Sequence, residues 1–421
     1  MTTQSKTLRV KVSQEQLFML SVLVVNGGNY FYNLILGRIL GPEKFADAAV
    51  LITLLLILSF LAMTFQLVTA KFSAVFDEET FQRFISKTYK KAILTGIGFG
   101  VLTIVFANQL QQILNTSSSN MFVVFGIGVP LYFLMSINRG VFQGKKEFKL
   151  LSITYQAEML SRLVITLILL FLLNIQSSIV VALGILFSFG FGLLPFKFTY
   201  LQFKTTGIIE VAQSKVIRNF FIITAFYELT QIIINNSDII LVKHYFESYD
   251  AGLYASLALI GRIVYFIAWM FVMLLLPTVI QLQKEGKETA PILFKYVTYI
   301  ATIASSIVVV CALFPEATIK LLFGKNYLAM APLLWKYSFA TGLFAISNIF
   351  AYYYLSLEKY IPVIISGVFG ILQVGLVILF HESLEQVVHI QIAAMVLLLI
   401  IQVGFFVLDT RKSKKHFYEN S

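Results

Sequence analysis

Charge is scarce in this chain. Charged residues make up 13% of its 421 positions, hydrophobic residues 58%, and the mean hydropathy is +0.84. A soluble domain holds roughly 45 to 50% apolar residues, so the composition excludes a soluble fold and implies a polytopic helical membrane protein. Cysteine is nearly absent: Cys311 stands alone in an apolar run, and neither a disulfide nor a thiolate metal site can form within the chain. The four histidines, His244, His381, His389 and His416, are scattered without ligand spacing, so no metal is implied. The five aspartates, Asp47, Asp77, Asp238, Asp250 and Asp409, form no Asp-x-Asp pair of the kind that holds a nucleotide sugar and its metal. No Gly-rich loop ends in Lys and Ser or Thr, which excludes a phosphate-cradling nucleotide motif. No cofactor is expected, and no loop is long enough for a catalytic domain, so enzyme activity is not expected either.

Long apolar runs are what the chain has instead. At about 20 residues per crossing of a core about 30 Å thick, they predict twelve spans: 15–38, 46–70, 90–112, 120–142, 150–174, 178–200, 219–241, 251–281, 294–314, 331–355, 361–380 and 389–409. The N-terminus carries Lys6, Arg9 and Lys11 before an apolar run, as a signal peptide does. The run continues past Asn29 to Leu36 with no small-residue cleavage site, so it is expected to remain as the first span.

The net charge of +11 would suggest nucleic acid in a soluble protein. Here the basic residues collect in alternate connections. With a cytoplasmic N-terminus, 24 of the 32 Lys and Arg fall inside, Arg139 and Lys145 among them, and only Arg38, Lys44, Lys243, Lys320 and Lys325 fall outside. That asymmetry predicts cytoplasmic termini, with the plasma (inner) membrane as the expected location of such a multi-pass chain, and it makes a nucleic-acid partner unexpected.

The two halves resemble each other weakly. Aligning Ala46 with Gly252 places two similar turns, LGRILGPEKFADAAVLI and LVKHYFESYDAGLYASLALI, at equivalent points. Six spans per half make the repeat parallel, related by an axis along the membrane normal. The expected organisation is two six-helix lobes, 1–205 and 206–421, around a central cavity.

Candidate functional residues are the polar groups inside spans, where a charge costs roughly 2.5 to 3.5 kcal/mol on insertion scales. Glu158 and Arg162 lie four apart on one face of the fifth span. At 1.5 Å per residue, Arg162 is about 18 Å from the inner end and Arg262 about 16 Å from the outer end of the eighth span, so both are central. A guanidinium matches phosphate oxygens bidentately. Two such groups from opposite lobes would grip a diphosphate; the alternative is internal pairing, Arg162 with Glu158 and Arg262 with Glu228. On the seventh span, Glu228, Gln231 and Asn235 form a polar stripe that fits either a cavity wall or a hydrogen-bonded helix contact. Glu228 is also the candidate for coupling to a proton or Na⁺. Asn29, within Asn26-Gly27-Gly28-Asn29, belongs to a segment suited to close helix approach or to unwinding beside a cavity.

The stretches NLILGRILGPEKFADAAVL, INRGVFQGKKEF, NNSDIILVKHYFESYDAGLYASLALIGRI and LLFGKNYLAMAPLL resemble, in this order, segments of polysaccharide-biosynthesis membrane proteins of the multidrug/oligosaccharidyl-lipid/polysaccharide (MOP) exporter superfamily. More narrowly they resemble O-antigen and capsule repeat-unit flippases. Ala46 and Asp47 depart from the commoner Gly-x-Tyr pattern, which Gly252, Leu253 and Tyr254 keep. The resemblance implies an all-α, MATE-like fold of two six-helix lobes in a V. It implies a substrate too: an oligosaccharide on a polyprenyl diphosphate, moved to the outer leaflet by alternating access. Arg262 falls at a position often basic in these proteins, and Arg162 where the fifth span often has an arginine. The implied partners are the lipid-linked glycan, the bilayer and a glycan polymerase or other export protein. The rival readings are a drug or metabolite/cation antiporter on the same fold and, more remotely, a membrane glycan polymerase or ligase.

Overall fold

The first two predicted spans are one helical stretch of 62 residues, α1 (Gln14–Val75), folded at Gly41, where φ is 71° and ψ 173°. Only a residue without a Cβ adopts that backbone readily, and Pro42 opens the second segment with φ already set for a helix. The computed structural model describes residues 14–172, 177–196, 211–357 and 359–419. After α1 come α2 (Glu78–Val105), α3 (Ala107–Ile113), α4 (Asn120–Gly144), α5 (Phe148–Leu172) and α6 (Ser178–Gly192). Then follow α7 (Val211–Tyr245), α8 (Ser248–Gly261), α9 (Ile263–Lys284), α10 (Ala290–Leu313) and α11 (Pro315–Leu322). A 3₁₀ turn (Lys325–Met330) leads into α12 (Ala331–Ser356), α13 (Ile361–Leu379) and α14 (Leu384–Glu419). No strand occurs among the described residues.

Among the described residues, nine helical stretches are long and apolar enough to cross a membrane, the run Ser248–Ala268 across α8 and α9 counted as one. With α1 counted as two segments, and with α12 and the apolar α6 added, every one of the twelve predicted spans has its helix. The eighth span carries a local irregularity at Arg262, between α8 and α9, across which helical bonds continue from Arg262 N–H to the Ala258 carbonyl and from Phe266 N–H to the Arg262 carbonyl, both 3.0 Å.

Helices α1 to α6 pack among themselves, as do α7 to α14, and α1 bridges the two groups by packing on α7 and α8. The predicted boundary at residues 205 and 206 lies outside the described residues. Helix α8 begins at Ser248, 206 residues after Pro42, and α14 at Leu384, 206 after the start of α6 at Ser178, while α10, α12 and α13 begin 212, 211 and 213 residues after α2, α4 and α5.

At the membrane face that carries the Gly41 bend, here the bend face, the two groups close on each other. Arg38 donates to the carbonyls of Lys320 (3.2 Å), Leu321 and Leu322 (2.9 Å), which the end of α11 leaves without helical partners. The Tyr327 hydroxyl donates to the Gly37 carbonyl at 2.7 Å, and Phe45 packs on Phe323 with centroids 5.8 Å apart. Gly252 lies against the backbone of Pro42, where an added Cβ would sit 1.9 Å from its carbonyl oxygen. Toward the opposite face, the second segment of α1 stays packed on α7 through Phe65 and Phe221 at 5.0 Å. Between the first segment and α9, which meet edge-on at the Tyr30 and Phe266 rings with centroids 6.4 Å apart, lies a groove.

Candidate functional site

Around the middle of α5, one carboxylate is shared by two guanidinium groups. Glu158 and Arg162 lie one turn apart, as predicted, and pair with each other. Arg139, from α4, takes the other carboxylate oxygen, with Nη1 2.8 Å from Oε2. Its Nε donates to Thr154 Oγ1 at 3.1 Å and its Nη2 to the Thr154 carbonyl at 2.9 Å. Its guanidinium lies 3.9 Å from the centroid of the Tyr155 ring. Arg162 Nε reaches Ser188 Oγ on α6 at 3.4 Å. Arg139 and Arg162 are 4% and 8% exposed. Two cations against one carboxylate leave a surplus positive charge in a protein interior, an expensive arrangement unless an anion answers it. The count of basic residues put Arg139 in a cytoplasmic connection. The predicted span 120–142 already contained it, and the structure holds it buried within α4 rather than in a connection.

Arg262 occupies the junction between α8 and α9. The Gly261 carbonyl there accepts from Thr341 Oγ1 at 2.8 Å, and the Tyr337 ring packs where a Cβ on Gly261 would lie, 2.4 Å away. The expected partner of Arg262, Glu228, is not its partner. Asp238 is, with Arg262 Nη2 2.8 Å from Oδ1, while Nη1 donates to Asn236 Oδ1 at 3.2 Å. The other oxygen of Asp238 accepts from the Tyr254 hydroxyl (3.1 Å), the Tyr337 hydroxyl (2.7 Å) and Gln391 Nε2 (2.9 Å). Helix direction explains the choice. Side chains lean toward a helix's N-terminus, and α8 runs away from the bend face, so Arg262 leans back toward that face. Asp238, about 10 Å from the bend-face end of α7, meets it, whereas Glu228 is about 25 Å from that end.

The α7 stripe is present. Asn235 Nδ2 donates to the Gln231 carbonyl at 2.8 Å, and Gln231, 7% exposed, has no hydrogen-bond partner on either amide atom among the described residues. Glu228 is half-buried and makes no ion pair among the described residues. Asn235 lines a cleft of about 280 Å³, measured with its open mouth, together with Arg262, Thr341 and Gln373. The Asn26 to Asn29 stretch is unbroken helix: Gly28 packs on Met159 of α5, so close approach is the use made of it. Asn29 is half-buried beside it, its Oδ1 without a partner among the described residues.

Arg162 and Arg262 thus sit in different helix groups, each on its own carboxylate. The residues absent from the sequence expectation are Arg139, Asp238 and the Tyr254, Tyr337 and Gln391 groups around it. For Asp238 a signal was present, because 228, 231, 235 and 238 continue one stripe at helical spacing. The groove between α1 and α9 encloses about 1190 Å³ including its open side. It is lined by apolar Leu20, Leu23, Ile263 and Phe266, with Asn26 and Tyr30 as its polar groups.

The profile of the family described as polysaccharide biosynthesis protein matches residues 35–332. No curated protein matches the chain in sequence. Among solved structures, an inward-facing multidrug resistance MATE family transporter of the MOP superfamily superposes with a TM-score of 0.76 at 12% identity, covering 94% of this chain and 99% of that one. The lipid II flippase MurJ, in an inward closed conformation, gives 0.72 at 14% identity over 94% of this chain and 87% of its own. An outward-facing MATE family transporter gives 0.60 at 12% identity over 95% and 97%. The chain is a multi-pass membrane protein of the polysaccharide biosynthesis protein family, built on the fold of the MATE and MurJ transporters.

Proposed function

We propose that this protein is a flippase: it carries a polyprenyl-diphosphate-linked oligosaccharide from the inner to the outer leaflet for surface polysaccharide synthesis, by alternating access. The observation that carries the reading is a buried surplus of positive charge one helix away from an apolar groove that opens sideways. Gly27 and Tyr30 line the groove, while Gly28 between them packs on Met159, the neighbour of Glu158. An anionic head and an apolar tail on one molecule match that pairing: the head meets Arg162, and the tail stays in the groove and the lipid beyond it. The basic-residue asymmetry supports cytoplasmic termini. In that orientation the closed bend face is the outer one. Arg262, neutralised by Asp238, shapes the second lobe and meets the sugars through the cleft shared with Asn235.

Glu228 favours a role for an ion gradient, since a half-buried carboxylate without a counter-ion among the described residues suits a proton or Na⁺. It is also the observation that favours the second reading, a drug or metabolite/cation antiporter. That reading requires carboxylates to dominate the site, whereas Arg139, Arg162 and Glu158 together are cationic. Deleting the gene in its own host tests the choice. The flippase reading expects loss of surface glycan with lipid-linked precursor accumulating inside, both reversed by complementation. Normal surface glycan with altered sensitivity to cationic drugs would favour the antiporter.

A further inference from the structure

We infer that Arg139 sets the charge of an anion-binding site in the first helix group, and that Arg162 is the residue that touches the anion. The inference rests on the flippase reading and assigns the diphosphate to one lobe. All three nitrogens of Arg139 are engaged by the protein: Nη1 with Glu158, Nη2 with the Thr154 carbonyl and Nε with Thr154 Oγ1. Its flat face is covered by Tyr155. Tyr155 is itself held by Gln66 Nε2, which donates to its hydroxyl at 3.0 Å. A guanidinium fixed in this way has every nitrogen engaged and a covered face, and only one N–H on each Nη is uncommitted.

Arg162 differs. Its Nη2 goes to Glu158 and its Nε makes a long 3.4 Å contact to Ser188, while Nη1 has no hydrogen-bond partner among the described residues. The charges follow. Glu158 is a single carboxylate between two cations, and Arg139 is the one that cannot leave it. Arg139 and Glu158 cancel, and the charge of Arg162 remains for a ligand. The second helix group has no such surplus, because Asp238 cancels Arg262. A phosphate or diphosphate anion is the chemistry this site takes: a guanidinium offers it parallel donors, and the buried setting gives the charge its strength. Arg139 is then a positioning residue, acting on the ligand through Glu158.

Charge arithmetic separates this role from a merely structural one. The full-length protein, purified in detergent, is titrated with farnesyl diphosphate by isothermal calorimetry as wild type, Arg139→Met, Glu158→Gln, the double variant and Arg162→Met. Arg139→Met leaves Glu158 and Arg162 as a neutral pair and should weaken binding by about tenfold or more. Glu158→Gln raises the surplus and should tighten binding. The double variant again has one net positive charge and should bind nearly as wild type, whereas Arg162→Met should bind weakly. If Arg139→Met does not fold, Glu158→Gln alone decides, and unchanged or weaker binding overturns the inference. Wild-type affinity in folded Arg139→Met, or a folded double variant no better than Arg139→Met, also overturns it and leaves the flippase reading standing. A wild-type protein that does not bind the prenyl diphosphate overturns both.

Discussion

Lys243 and Asp47 face each other across the contact between α7 and the second segment of α1, with Nζ 3.2 Å from Oδ1 and side chains 1% and 3% exposed. Lys243 also donates to the Asn115 carbonyl at 2.8 Å and to Ser248 Oγ at 2.6 Å. The backbone N–H and hydroxyl of Ser117 donate to the other Asp47 oxygen at 2.9 and 2.6 Å. In the proposed alternating-access cycle this contact opens, and both charges then pass into water.

Removing one partner of such a pair strands the other only while the bend face is closed, a cost of about 3 to 5 kcal/mol for a buried ion. Asp47→Asn and Lys243→Met should therefore shift the protein toward the conformation open at the bend face. Thiol labelling of a cysteine placed at Phe45 reads that shift: labelling should speed up in both variants. Labelling as slow as in the parent would show that the pair does not hold the face shut.

Gly252 makes a second, uncharged test of the same closure. An alanine there would place its Cβ 1.9 Å from the Pro42 carbonyl oxygen, a backbone atom that cannot swing away. Gly252→Ala should speed labelling at the same reporter and slow transport. Gly98→Ala, where a Cβ meets nothing within 4 Å, should change neither.

Asp238 should be a stability residue more than a transport residue. Its two oxygens accept from Arg262, Tyr254, Tyr337 and Gln391. Asp238→Ala leaves a buried guanidinium uncompensated and should cost about 3 kcal/mol or more, seen as a lower unfolding midpoint in detergent. Asp238→Asn keeps an acceptor and should cost less. Equal midpoints for wild type and Asp238→Ala would contradict the network's role.

Glu228→Gln removes the ionisable group of the α7 stripe that has no ion pair among the described residues, and keeps its shape. Under the proposed coupling role, transport by this variant should no longer respond to an imposed proton or Na⁺ gradient, while ungraded exchange persists. A full gradient response would place coupling elsewhere.

The spans were legible in the sequence because a bilayer forces each crossing to be long and apolar, and twelve such runs survive even where Arg162 or Arg262 interrupts one. The bend at Gly41 and Pro42 was legible as a turn for the same reason. Partner choice was not. Glu228 and Arg262 have comparable depths on paper, but the backward lean of helical side chains carries Arg262 toward Asp238 instead. Arg139 was hidden by its neighbours: Lys145, Lys146 and Lys149 follow closely, so it was counted with them although the predicted span 120–142 contains it, and its burial on α4 shows only in the packing. The closing of the bend face depends on contacts between residues as far apart as Arg38 and Leu322, which no local pattern encodes.

The most direct test of the central claim is translocation itself. The purified protein is reconstituted in liposomes carrying a fluorescent polyprenyl-diphosphate oligosaccharide, and the fraction of label open to an external quencher is followed in time. The account predicts that the protein makes the inner-leaflet label accessible far faster than protein-free liposomes do, and that Arg162→Met abolishes the acceleration. Equal rates with and without folded protein would contradict it.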